Sequence, residues 1–388
     1  MIKKVIFRLE SDIVSCGINT ESNFFDSRDY IPGGVLRAGF AKDIYLSCGI
    51  DKRNNFIELK DPEGRCVSCE NRLICEKFSD MTFSFLYNRN CIPAPFSTKV
   101  CKLRPGKHPI KDIMLDNGRA VCASCKEGFH HIEGRMADAN GYIDMSDNTL
   151  ISIKKNTTTH TAVNYAAGTA RYNSIYTTRA ISKGLYFEGL IDDCDTGLIK
   201  EGTVVYVGKY SSSGFGKLVV EKISEPDKRH DICKSIQEFT SRCRADKPYR
   251  KNPDKMYAPI LFTSDAKLGF ESGIAVSCTS EYRNLWTEKI FGDGSIFEIE
   301  NVYAQNKISG GYDTSAQWGK WRKDPQIITV KGTSVLVSFD KNNLKKAVEI
   351  FEDMLLNGIG SDTKNGYGRV DICNKIHLIG AGDNEENN

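Results

Sequence analysis

Two copies of one short pattern constrain this chain more than any other feature. Gly214-Phe215-Gly216-Lys217-Leu218 and Gly366-Tyr367-Gly368-Arg369-Val370 each close a glycine-rich loop with Gly-aromatic-Gly-basic-apolar, and each leads into a β-like run. A repeat of this kind argues for two related domains. Glycine permits positive φ and lets a ligand approach the backbone, and exposed N–H groups in such a loop can hold phosphate oxygens. Lys209, Lys217, Lys364 and Arg369 add positive charge, while Tyr210, Phe215 and Tyr367 offer rings on which bases can stack. The combination suits single-stranded RNA; a pair of turns without a ligand is the plainer alternative. A P-loop fails on spacing, because Ser211 stands where its first glycine belongs and Leu218 where its hydroxyl belongs. A dinucleotide-binding turn would lead into a helix, and both loops lead into strands.

The rest of the chain fits an α+β protein of 388 residues, long enough for two domains. Val5, Phe7 and Leu9 alternate with Lys4, Arg8 and Glu10, the period of a half-buried strand. After the Pro32-Gly33-Gly34 break, Val35, Leu36, Phe40, Ile44 and Tyr45 share one helical face. Residues from about 49 to 150 read as an irregular insertion. Short β-like runs follow at Ser174–Ala180, Gly184–Ile191, Thr203–Val207 and Lys217–Ile223, then a helix and linker over 225–255. Met256–Phe262 and Val335–Phe339 read as strands. Asn342–Asn357 is the clearest helix, with Gly358 placed to cap it. We expect a domain over 1–230, a second over 250–380 and a disordered acidic tail over 381–388. Lys and Arg number 53 against 50 Asp and Glu, so any nucleic-acid contact must come from a local patch. No run of about 18 apolar residues occurs, so no membrane span is expected.

Fourteen cysteines are many for this length. The N-terminus reads as a strand rather than a secretion signal, so we expect a reducing, cytoplasmic compartment, where clustered cysteines point to metal. Cys66-Val67-Ser68-Cys69 and Cys122-Ala123-Ser124-Cys125 form two CxxC knuckles, a donor set for one structural Zn²⁺ with Zn–S near ~2.3 Å. Cys75 is an alternate ligand, and Cys101, His130 and His131 are weaker ones. Buried free cysteines and an iron–sulfur cluster are the competing readings. Cys16, Cys48, Cys194, Cys233, Cys243, Cys278 and Cys373 stand alone and are expected in the core.

With these residues in view, the loops Gly208–Leu218 and Gly358–Val370 resemble the glycine-rich loops of the CRISPR-associated RAMP superfamily. Tyr30-Ile31-Pro32-Gly33-Gly34-Val35-Leu36-Arg37 resembles that superfamily's Tyr-Ile-Pro-Gly-Ser-x-Leu-Arg-Gly motif, with Gly34 in place of Ser and Ala38 in place of the last Gly. His160-Thr161-Ala162-Val163-Asn164, Gly168-Thr169-Ala170, Ile175-Tyr176-Thr177 and Gly184–Gly189 are similar to the Cas5-like subunit of type III-D complexes. Ser309–Tyr312, Lys320 and Gly332–Val335 resemble the second domain of subunits that hold the crRNA 5′ handle. The resemblance implies two ferredoxin-like (RRM/RAMP) domains, a crRNA-binding role in RNA-guided antiviral defence, and Cas7-like backbone subunits as neighbours. It also implies a large polymerase-like or nuclease subunit as a partner and target RNA met only indirectly. A related class 1 system without the polymerase-like subunit stays open. For RNA contact we single out Arg37, Lys42, Lys209, Tyr210, Phe215, Lys217, Lys364, Tyr367 and Arg369, and then His160, Asn164, Arg171 and Tyr172.

No catalytic residue is assigned. Asp26 and Asp29 lie in the loop where backbone subunits of the superfamily carry a cleaving aspartate, and His160 is of the residue type most often used as a general acid–base. Loop polarity and RNA contact explain these residues as well. A RAMP endoribonuclease acting on precursor crRNA or target RNA is the alternative to a non-catalytic handle binder.

Overall fold

β1 (Ile2–Leu9) forms where the alternation requires it, with Val5, Phe7 and Leu9 fully buried. Around it an antiparallel sheet assembles from β2 (Thr82–Phe83), β3 (Tyr186–Asp192), β4 (Val204–Tyr206) and β5 (Lys217–Ser224), in the order β4-β5-β1-β3-β2. Tyr87–Asn88 adds a second short pairing to β3. Helix α1 (Gly33–Ser47) begins after Pro32 and lays Leu36, Phe40 and Ile44 on this sheet. This computed structural model describes residues 2–15, 18–21, 23–50, 57–115, 121–125, 134–164, 166–226, 231–246, 252–271, 277–312 and 322–379.

The C-terminal half repeats the plan. After α2 (Ile232–Asp246) come β6 (Lys255–Phe262), α3 (Thr279–Phe291), β7 (Glu298–Tyr303), β8 (Ser334–Asp340), α4 (Leu344–Asn357) and β9 (Val370–Ile372). The sheet order is β7-β8-β6-β9, so a β-α-β-β-α-β chain places its fourth and third strands on either side of the first. In the N-terminal half β5, β1, β3 and β2 stand in the same order, with turns over 193–203 in place of the second helix. β6 is a continuous apolar run because both faces are covered. Most of it packs with Phe239, Trp286 and Phe351 of the helices, and Leu261 packs with Ala94, Val100 and Ile143 on the other side. Each such aromatic, fully buried, stabilises by roughly 1.5–3 kcal/mol.

The match between the halves extends to single hydrogen bonds. In the first loop Gly208, Tyr210, Gly214 and Gly216 have φ of 82°, 62°, 89° and 72°; in the second, Gly360, Asp362, Gly366 and Gly368 have 83°, 65°, 85° and 70°. Each loop encloses one 3₁₀ turn, Ser211–Ser213 or Thr363–Asn365. The Gly216 amide donates to the Asp12 carbonyl and the Gly368 amide to the Asp265 carbonyl, both at 2.8 Å. Lys217 N–H donates to Ser11 Oγ at 2.9 Å, and Arg369 N–H to Ser264 Oγ at 2.8 Å. A β-carbon on Gly216 or Gly368 would fall 1.9 Å from the carbonyl of Val207 or Ile359, so only glycine fits. The Ser-Asp pair that follows the first strand of each half is therefore part of the repeat.

The segment expected to be irregular contains short strands. Cys91–Pro93, Tyr142–Asp144 and Thr149–Ile151 form one small sheet. Thr98–Cys101, Lys111–Asp112, Val121–Cys122 and Gly134–Asp138 form another. Strands of two to five residues carry too little alternation to be recognised in the sequence. β2 and Tyr87–Asn88 also lie within this stretch but belong to the main sheet. Buried Asp112 ties the segment to the C-terminus. It accepts hydrogen bonds from Ser97 Oγ at 2.7 Å and the Met114 amide at 2.8 Å, and its Oδ2 lies 3.0 Å from His377 Nδ1. Burial pushes this carboxyl up, but His377 and the donated hydrogen bonds hold it below its ordinary range.

A long hairpin leaves the N-terminal half. Its arms are Lys155–Asn164 and Thr169–Ile181, and the second arm runs parallel to Phe24–Asp26. The first arm is almost wholly exposed and threonine-rich, which is why apolar alternation did not reveal it. Among the described residues no helix is long and apolar enough to cross a membrane.

Candidate nucleic-acid interface and metal centre

The first glycine-rich loop meets the root of the hairpin, and aromatic rings collect there. His160 stacks on Tyr176 with centroids 5.0 Å apart and planes 18° apart, and Tyr176 stacks on Tyr210 at 6.1 Å and 22°. Phe215 meets both His160 (6.3 Å) and Tyr210 (6.1 Å) edge-on. Phe25 meets Tyr176 edge-on at 6.4 Å, and exposed Lys209 sits 4.8 Å above the Phe25 ring. Lys42, one turn before the end of α1, donates to Ser211 Oγ at 3.2 Å and so stands beside the same loop. His160 Nε2 lies 3.1 Å from both Thr158 Oγ1 and Thr178 Oγ1, which fix the ring. Burial, and then the neighbouring phenol of Tyr176, push the Tyr210 phenol up, so it stays neutral. The cluster is a partly exposed face of π-surface edged by two ammonium groups, suited to stacking and to phosphate.

Lys42, His160, Lys209, Tyr210 and Phe215 are thus brought together as one surface. Tyr176 and Phe25 join them and were missed, although Tyr176 falls inside a stretch singled out by resemblance. Lys217 lies at the edge, paired with Glu10 at 2.7 Å. Asn164, Arg171 and Tyr172 sit at the far end of the hairpin, where Tyr172 is 94% exposed.

The second loop stands elsewhere. Tyr367 packs edge-on against Phe85 at 5.3 Å, with Lys267 4.4 Å above its ring. Lys364 pairs with Asp80 at 3.0 Å, and Arg369 Nη1 donates to the Leu356 carbonyl at 2.7 Å. Arg37 turns inward, donating to the Phe78 carbonyl at 2.8 Å and lying 5.1 Å over the Phe78 ring. These four line the joint between the two halves rather than the hairpin root.

Asp26 and Asp29 share one ammonium group. Lys155, with a nearly buried side chain, donates to Asp26 Oδ1 at 2.9 Å and pairs with Asp29 Oδ1 at 2.6 Å. The arrangement ties the loop to the base of the hairpin.

The two CxxC knuckles do not meet. Among the described residues, Cys101, His108, Cys122 and Cys125 are the set whose ligand atoms all lie within 4.8 Å of one another. Cys66, Cys69 and the alternate Cys75 are not in it. The correction follows from strand register. Cys101 stands opposite Met136 and Cys122 opposite Gly134, so the two flank one strand at a two-residue spacing. His108 comes from the loop after Cys101, with Nδ1 3.2 Å from Cys122 Sγ and 3.5 Å from Cys125 Sγ. Burial pushes the Cys101 thiol up, but the backbone amides of Arg104 and Leu103 and the thiols of Cys125 and Cys122 pull it down to about 7. Three sulfurs and one imidazole at this spacing fit a tetrahedral Zn²⁺. His130, His131, Cys16, Lys320 and the acidic tail lie outside the described residues. Of the cysteines expected in the core, Cys243 and Cys373 are buried, Cys48, Cys194 and Cys233 are half-buried, and Cys278 is exposed.

No family model and no curated protein matches this chain. Solved structures do. A chain of the Type III-B Cmr-beta cryo-EM structure bound to cognate target RNA and AMPPnP, state 1, has a TM-score of 0.43 and 10% identity over 90% of this chain and 89% of that one. A chain of Type III-B Cmr-beta bound to cognate target RNA has a TM-score of 0.44 and 10% identity over 95% and 96%. A chain of the Cmr-beta apo state has a TM-score of 0.28 and 8% identity over 59% and 98%.

Proposed function

We propose that this chain is a non-catalytic RNA-binding subunit of a class 1, type III-D-like CRISPR effector complex. In this reading two ferredoxin-like RAMP domains hold the crRNA 5′ handle beside Cas7-like backbone subunits, and target RNA is met only through the guide. The observation that carries it is the ring cluster of His160, Tyr176, Tyr210 and Phe215, with exposed Lys209 and Lys42, where a positive-φ loop meets a long exposed hairpin. Such a surface stacks bases and neutralises phosphates without a paired acid and base. The matched strand orders of the two halves support the ferredoxin-like assignment. Zn²⁺ at Cys101, His108, Cys122 and Cys125 would stiffen the small sheet between β2 and β3, a structural role with four protein ligands and no open position.

The test is binding of the full chain to RNA carrying the crRNA 5′ repeat-derived handle, against a scrambled RNA, with RNA length followed throughout. Handle-selective binding that weakens with salt and leaves the RNA intact is expected. Each lost lysine–phosphate contact in Lys42→Ala or Lys209→Ala should reduce the salt slope by about 0.7. Cleavage by wild type that is lost in Asp26→Ala or His160→Ala would replace this reading with a RAMP endoribonuclease.

A further inference from the structure

We infer that the chain holds a second metal centre, a four-cysteine zinc site formed by Cys48, Cys66, Cys69 and Cys75. Cys48 ends α1, its amide donating to the Ile44 carbonyl at 3.1 Å. Its two chain neighbours are both tied to the segment that carries the other three. Ser47 Oγ accepts from Asn71 Nδ2 at 3.1 Å, and the Gly49 carbonyl accepts from Arg65 Nη1 at 3.2 Å. Residues 65 and 71 bracket the Cys66-x₂-Cys69 knuckle, which is turned by the Cys69 amide donating to the Cys66 carbonyl at 3.4 Å. Cys75 follows in the helix Arg72–Lys77, its amide donating to the Asn71 carbonyl at 2.9 Å.

The helix that carries Cys75 contributes little of its own to the segment's shape. It has six residues, no side-chain cap and no buried residue. All four cysteines are free, so no disulfide braces it. Ile74 and Cys75 rest only half-buried against the N-terminal core; a six-residue helix is not stable alone, and small units of this kind are often held by metal. These thiols stand wider apart than the first set. Cys69 is exposed, so its side chain can turn inward on binding. Binding replaces four S–H bonds with four S–Zn bonds and releases protons to solvent, so occupancy falls as pH falls.

Zinc content of the purified full chain tests this, with Co²⁺ as a spectroscopic probe. Two equivalents are expected in wild type. Cys48→Ser with Cys75→Ser should leave one, and the Co²⁺ spectrum of that variant should be that of a three-sulfur, one-nitrogen site. Cys101→Ser with Cys122→Ser should also leave one, with a four-sulfur spectrum. Should either variant fold poorly, thiol alkylation of wild type before and after chelation gives the same answer. Cys48, Cys66, Cys69 and Cys75 should be protected only while metal is bound. A single equivalent that survives Cys48→Ser with Cys75→Ser, or alkylation of these four that chelation does not change, would overturn the second site. Neither result touches the first site or the RNA-binding role, which have their own tests.

Discussion

The two glycine-rich loops share one backbone and occupy opposite environments. Around Gly214 a β-carbon would meet nothing within 4 Å, whereas at Gly366 it would fall 2.6 Å from the Phe83 carbonyl and 2.8 Å from the Phe85 amide nitrogen. Gly33, at the start of α1, is enclosed by the same joint: a β-carbon there would fall 1.9 Å from the Phe83 carbonyl oxygen and 2.6 Å from that of Asn365. The first loop thus opens on the hairpin root with its rings half exposed, and the second is wedged between α1 and β2. The Ser-Asp pairs diverge in the same way. Asp12 accepts from the Lys183 amide at 2.8 Å and from Asn156 at 3.0 Å near the surface. Asp265, buried, accepts from the Lys331 amide at 3.0 Å, from Lys307 Nζ at 2.7 Å and from the Tyr30 hydroxyl at 3.2 Å. One backbone design frames an open ring cluster in one half and acts as a fastener in the other.

Substitution at the paired glycines gives the largest contrast. Gly366→Ala should destabilise by on the order of 3 kcal/mol or more, because it adds a backbone clash to a positive-φ penalty. Gly214→Ala carries only the φ penalty, about 1–2 kcal/mol. Equal losses of thermal stability would remove the distinction between wedge and open loop.

The fastener should also respond to pH. Lys331 lies 4.6 Å over Tyr30 and 5.1 Å over Tyr142, and burial pulls its ammonium down to about 8, with Asp265 opposing. Between about 8 and the ordinary lysine value the unfolded chain binds the extra proton, so this group's contribution to stability rises with pH, by up to about 1.4 kcal/mol per unit. Below about 8 the cost of burying the charge is fully present. Compared with Lys331→Met, wild type should gain stability across that window in denaturation curves; parallel curves would place Lys331 in water.

Next in size is RNA affinity. Tyr210→Ala with Phe215→Ala should weaken handle binding roughly 10- to 100-fold, as base–aromatic stacking contributes ~1–3 kcal/mol per base. Tyr367→Ala should lower the melting temperature with little change in affinity, and the reverse pattern would exchange the roles of the two loops. The smallest effect belongs to Lys364→Ala. Its pairing with Asp80 is exposed, and a loss within about 0.5 kcal/mol is expected.

Much of the fold was legible because its signals are local. The alternation of Val5, Phe7 and Leu9, the apolar run of β6, and the α4 helix ended by Gly358 all matched the elements found. The Lys155–Asn164 arm was not legible, since an exposed strand needs no apolar face. At the site, the loop residues were identified correctly as a backbone repeat, but sorting them into one surface needed to know what lay opposite. The four-thiol pairing failed for the same reason. Nothing in two CxxC spacings says that Cys122 will be carried by strand register to Cys101 and His108 and away from Cys66.

What the sequence by itself determined is conformation over a few residues: strand and helix periods, the glycines that must take positive φ, and the two knuckle turns. Only the tertiary structure decided the partners: which loop faces solvent, which rings stack, and which cysteines come within reach of one another. Backbone preference acts within a turn or two of chain, whereas partners are chosen by sheet register and by the packing of segments more than a hundred residues apart, as Tyr176 against Phe25 and Asp112 against His377 both show.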